Sequence, residues 1–164
     1  MKCRARKRLN RDERALEGLP LQLLIIAVVI SLGLPIVYSA LSSYDSNRLM
    51  KEMDGHAVMV GEKARQLYSH GEGNTDTITL TIEDGIFHQV EFLEITNATF
   101  KNQIQWSISE GYDGRHHIDG RVSLISDDTP LRLGTGEHRL RLECVSGNIT
   151  ESDDEMLYVE VTAL

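Results

Sequence analysis

Hydrophobic positions along the chain fall into successive regimes. No charged side chain occurs between Glu17 and Asp45, and residues 19–41 (LPLQLLIIAVVISLGLPIVYSAL) are apolar around the whole circumference of a helix. A run of about 20 such residues crosses the ~30 Å hydrocarbon core of a bilayer, so this stretch predicts a membrane span. Apolar residues then recur at Leu49, Met53, Ala57, Val60, Ala64 and Leu67, the spacing of a single helix face. Arg48, Lys51, Glu52, Glu62, Lys63 and Arg65 fill the other face. From Thr77 the period becomes two, with strands predicted at 77–82, 87–94, 104–109, 118–125, 139–145 and 157–163. Asp84-Gly85 supplies a turn signal after the first strand, and Leu140, Leu142 and Cys144 share one face of the fifth.

The elements predict an α+β chain. A kinked helix runs from Pro20 to about Tyr68, roughly 70 Å at ~1.5 Å per residue. Pro20 suits a first helical turn, whereas Gly33 with Pro35 bends the span. The amphipathic part packs on a C-terminal antiparallel β-sandwich or partly open barrel. The expected organisation is a basic cytoplasmic leader at 1–15, a transmembrane helix at 16–44, an amphipathic extension at 45–70 and an extracellular β domain at 71–164. The apolar stripe of the extension is expected to serve as core, with subunit contact as its other possible use.

Charge gives this organisation a direction. The first 15 residues carry a net charge of +5, from Lys2, Arg4, Arg6, Lys7, Arg8, Arg11 and Arg14 against Asp12 and Glu13. Residues 42–164 carry a net charge of −12. Basic residues flanking a span stay cytoplasmic, so the C-terminal domain is expected outside the cell membrane. The basic leader suits lipid headgroups, and the acidic domain would repel nucleic acid, so no nucleic-acid partner is expected. Cys3 and Cys144 fall on opposite sides of the predicted membrane and cannot pair within one chain. The span contains no ionisable acid or base of the kind a proton relay needs.

The junction before the span reads Arg11-Asp12-Glu13-Arg14-Ala15-Leu16-Glu17-Gly18-Leu19-Pro20. It resembles the class III signal peptides of archaeal type IV pilins and archaellins. The resemblance covers residues 1–70 and rests on the basic leader, the Arg14-Ala15 step and the apolar helix that follows. It implies removal of the leader by a prepilin peptidase on the cytoplasmic side. The helix would be kept, to self-associate or join other pilin-like subunits in a surface filament. Carried onto this chain, the cleavage region is Arg14, Ala15, Leu16, Glu17 and Gly18, with the cut after Ala15 or, in a second register, after Gly18. Neither register places Glu at the fifth mature position. A secretory signal cut before Ser43 and an uncleaved signal anchor are the other readings of residues 1–41. The alternative function is a single-pass, membrane-anchored extracellular binding or accessory module that does not polymerise.

Candidate chemistry adds little. His116-His117 are adjacent, and neighbours in a strand point to opposite faces, so they do not chelate from one side. Asp127-Asp128 and the acidic stretch 151–155 lack the glycine-punctuated spacing of a calcium loop. No nucleophile motif or phosphate loop occurs, so neither an enzyme nor a cofactor is expected. Asn97-Ala98-Thr99 and Asn148-Ile149-Thr150 are N-glycosylation sequons at expected turns; filament proteins of the resembled family are often glycosylated, which marks Asn97 and Asn148 as candidate sites.

Overall fold

The computed structural model describes residues 12–96, 101–118, 120–126, 130–147 and 156–164, with side chains from residue 21 onward. Helix α1 runs Asp12–His70, beginning eight residues before Pro20, and helical assignment continues through Pro35, Gly55 and Gly61. The chain divides into two compact units, Met1–Leu41 and Ser42–Leu164.

The described part of the first unit is helix. Leu23, Leu24, Ile26, Val29, Leu32 and Ile36 are all more than half exposed, so among the described residues its apolar surface is uncovered. Such a surface is stable in lipid, where the helix satisfies its own backbone hydrogen bonds.

In the second unit the remainder of α1 is followed, among the described residues, by eight strands: β1 (Thr75–Ile82), β2 (Val90–Thr96), β3 (Gln103–Ile108), β4 (Tyr112–His117), β5 (Leu124–Ile125), β6 (Leu131–Leu133), β7 (Gly136–Gly147) and β8 (Met156–Ala163). They form two four-stranded sheets, ordered β1-β7-β8-β5 and β4-β3-β2-β6. Neither closes into a barrel, and the β5–β8 pair is parallel, so the expectation of a wholly antiparallel domain is corrected. The chain leaves the first sheet after β1 and enters the second at β2, so Asp84-Gly85 opens a crossing loop between sheets.

The helical stripe is the centre of the core. Leu49, Met53, Ala57, Val60, Ala64 and Leu67 are 0–5% exposed and join Ile78, Leu80, Leu140, Leu142, Cys144, Val159 and Val161 of the first sheet and Leu93, Ile95, Ile104, Trp106 and Ile108 of the second in one buried cluster. The stripe is therefore used within the chain. Two contacts attach α1 to the sheet edges: Lys63 donates to Asp76 of β1 at 2.9 Å, and Gly61 packs closely against the ring of His116 on β4. The far edges, β5 and β6, are two and three residues long. Short edges offer little for another strand to pair with.

Two strands depart from the alternation in the sequence. Residues 118–125 are expected to form one strand, yet among the described ones only Leu124–Ile125 is strand, although Ile118, Val122 and Leu124 are buried. Ile118 and Leu124 instead donate to the carbonyls of Asn102 and Lys101, so burial alternates here along an irregular segment. Conversely, β4 has no apolar alternation and forms because every residue from Tyr112 to His117 pairs with β3. Gly114 leaves room for the indole of Trp106, which occupies the space a Cβ would take. The chain's single tryptophan therefore reports on this contact.

Leu49→Ala should destabilise the second unit by about 2–5 kcal/mol through the cavity left in the stripe, measured by denaturant titration in detergent. Gly114→Ala should cost about 1–3 kcal/mol by overpacking and should shift Trp106 emission in the folded state; an unshifted spectrum with unchanged stability would refute the contact.

Candidate functional site

Two features of the described residues carry functional information. The first is the apolar segment itself: α1 is the one helix among them long and apolar enough to cross a membrane, with a window of mean hydropathy 2.5 that is wholly unburied. Arg14, Ala15, Leu16, Glu17 and Gly18 lie within helix α1, where backbone alone is described. Asn97 and Asn148 lie outside the described residues, as do Asp127, Asp128 and the acidic stretch 151–155. His117 is exposed on β4 and His116 half-buried against Gly61, on opposite faces as the strand period requires.

The second feature escaped the sequence reading. Asp45, the first charged residue after the apolar run, is 4% exposed. Its carboxylate accepts the backbone amides of Ile86 (3.1 Å), Phe87 (2.8 Å) and His88 (3.1 Å), consecutive donors in the loop between β1 and β2. Consecutive amides aimed at one point make an anion-binding nest, here filled by a side chain of the same molecule. Gly85 is required for the approach, because a Cβ there would overlap the Asp45 carboxylate. Asp84 closes the loop from behind, its Oδ1 accepting the amide of Val90 and the hydroxyl of Thr135.

His88 extends the arrangement. It is 1% exposed, with Nδ1 3.4 Å from Asp45 Oδ2 and Nε2 3.3 Å from Glu110 Oε2, the latter without the alignment of a hydrogen bond. The Tyr112 ring stands edge-on at 5.7 Å. Glu110 sits at φ 68° in the turn between β3 and β4, a left-handed conformation uncommon for a residue with a Cβ. A line of side chains thus connects α1, the β1–β2 loop and the β3–β4 turn.

Burial pushes the Asp45 carboxyl up, but the amides of Phe87, Ile86 and His88 and the His88 side chain more than offset it and hold its pKa at about 2, below the ordinary 3.8. Elsewhere, the Lys63 hydrogen bond and the Thr77 amide lower Asp76, while burial and then Glu72 raise Cys144. Cys144 is fully buried and behaves as a small apolar residue of β7. Among the described residues no three His, Cys, Asp or Glu side chains converge as a metal ion would require.

Because the folded pKa of Asp45 is depressed, its stabilising contribution is complete above 3.8 and is lost as pH falls through about 2. The shift corresponds to about 2 kcal/mol. Asp45→Asn should remove a comparable amount at neutral pH and flatten the acid limb of the stability profile; a variant with the parent's acid limb would disprove the assignment. Comparison with family models, curated proteins and solved structures finds no match to this chain.

Proposed function

We propose that the chain is a type IV pilin-like subunit, cleaved on the cytoplasmic side by a prepilin peptidase and anchored or assembled through its N-terminal apolar helix into a cell-surface filament. The observation that carries this reading is the division of labour along α1. Its apolar segment has an unpartnered surface, while the stripe from Leu49 to Leu67 is consumed by the chain's own strands. Self-association through α1 therefore falls to the apolar segment, which exchanges lipid for the same segment of neighbouring copies. The basic leader and Arg14-Ala15 support the cytoplasmic cut, and the acidic second unit is read as a sandwich-like extracellular head. Asn97 and Asn148 are its proposed glycosylation sites.

The second reading, a single-pass anchored module that does not polymerise, draws on the same helix and on the short edges β5 and β6, which limit strand-mediated assembly.

Mass spectrometry of the mature N-terminus tests the cut. The expected result is a chain beginning at Leu16, or at Leu19 in the second register; one beginning at Met1 or Ser43 would defeat the pilin-like reading. Size analysis after detergent extraction separates the two functions, since a uniformly monomeric mature protein favours the non-polymerising module.

A further inference from the structure

The loop that Asp45 grips carries an exposed apolar side chain. Ile86 is 83% exposed, more than any other large hydrophobic residue among the described ones, including those of the apolar segment. Its own backbone amide is one of the donors to Asp45, so its position is fixed by the clamp. Asp45 is four residues beyond Leu41, and a chain reaches at most ~3.6 Å per residue, so the residue that grips the loop lies within about 14 Å of the end of the apolar run by connectivity alone. Tyr44, beside Asp45, is 71% exposed and is an aromatic of the type that settles at headgroup level. The neighbouring acids Glu83 and Asp84 are exposed, and Asp84 Oδ1 accepts the amide of Val90 and the hydroxyl of Thr135.

We infer that the β1–β2 loop is an interfacial foot: clamped by Asp45, it seats Ile86 in the headgroup–acyl boundary of the lipid surface, with Tyr44 at the same level. The span fixes the chain in the membrane, and the foot gives the second unit a contact of its own with that surface. A loop held by backbone amides suits this task, because the apolar side chain enters lipid without unsatisfied loop donors following it. The clamp is a positioning device, and Asp45 itself stays out of the lipid under the loop that covers it.

The inference rests on the membrane-anchor part of the proposed function and is independent of filament assembly. Its test is spin-label accessibility in the full chain, reconstituted at low density in phosphatidylcholine vesicles. The label goes on Ile86→Cys in a Cys3→Ser background, with exposed Thr79→Cys as the aqueous reference. Flotation first separates the two claims: a chain that does not float with vesicles rejects the anchor reading and this inference with it. In floating protein, the expected result is an oxygen-to-nickel-chelate accessibility ratio several-fold higher at position 86 than at 79. Equal ratios overturn the foot. Low accessibility to both reagents also overturns it, since that is the signature of burial against protein. Adding Asp45→Asn should bring the ratio at 86 down to that at 79 while Trp106 fluorescence stays native; a ratio that stays high in the folded variant overturns the clamp's part. The label at 86 in the parent clamp decides the lipid contact whether or not the Asp45 variant folds.

Discussion

Burial of one helical stripe is the interaction on which the second unit depends. Leu49, Met53, Ala57, Val60, Ala64 and Leu67 contact a core drawn from both sheets, so neither sheet completes its buried face without α1. At about 25 cal/mol per Å2 of apolar surface, a stripe of this length is a major share of the favourable free energy of a small domain. Covering the stripe also places α1 against the β1 and β4 edges, through Lys63–Asp76 and Gly61–His116. Core formation and edge protection are thus achieved by the same packing.

The helix meets two solvents, and its residues change accordingly. In residues 21–41 every side is apolar and outward-facing, which only lipid or other apolar helices tolerate. Beyond Asp45 the polar side faces water and the apolar side faces the strands. Asp45 marks the change, and its charge is tolerated under cover because three amides and an imidazole replace the water it loses. The arrangement solves a second problem, since consecutive amides in a loop crossing between sheets would otherwise lack acceptors.

Other buried polar groups follow the same accounting. Glu94 on β2 is 2% exposed and accepts from Arg132 Nε of β6 at 2.6 Å, while that guanidinium lies 4.8 Å over the Phe92 ring. Thr96 Oγ1 accepts the amide of Leu131 at the start of the same short strand. These contacts hold β6, three residues long, where ladder hydrogen bonds alone are few.

The sequence by itself determined the apolar segment, the stripe and most strands, because each is written as a period: continuous, three-and-four, or two. All six stripe residues are buried, and the faces of β1 and β7 are those the alternation assigns, with Ile78, Leu80, Leu140, Leu142 and Cys144 inside. Tertiary structure decided what has no period. β4 is specified by its partner β3 and by the fit of Trp106 on Gly114, so nothing in Tyr112–His117 announces it. Residues 118–125 alternate, but among the described ones only Leu124 and Ile125 join a ladder, because a ladder needs a partner strand in register whereas burial needs only a core. The Asp45 clamp joins residues 41 to 43 positions apart. A lone acid after a span reads as the return to water, and only the fold brings the amides of Ile86, Phe87 and His88 onto it.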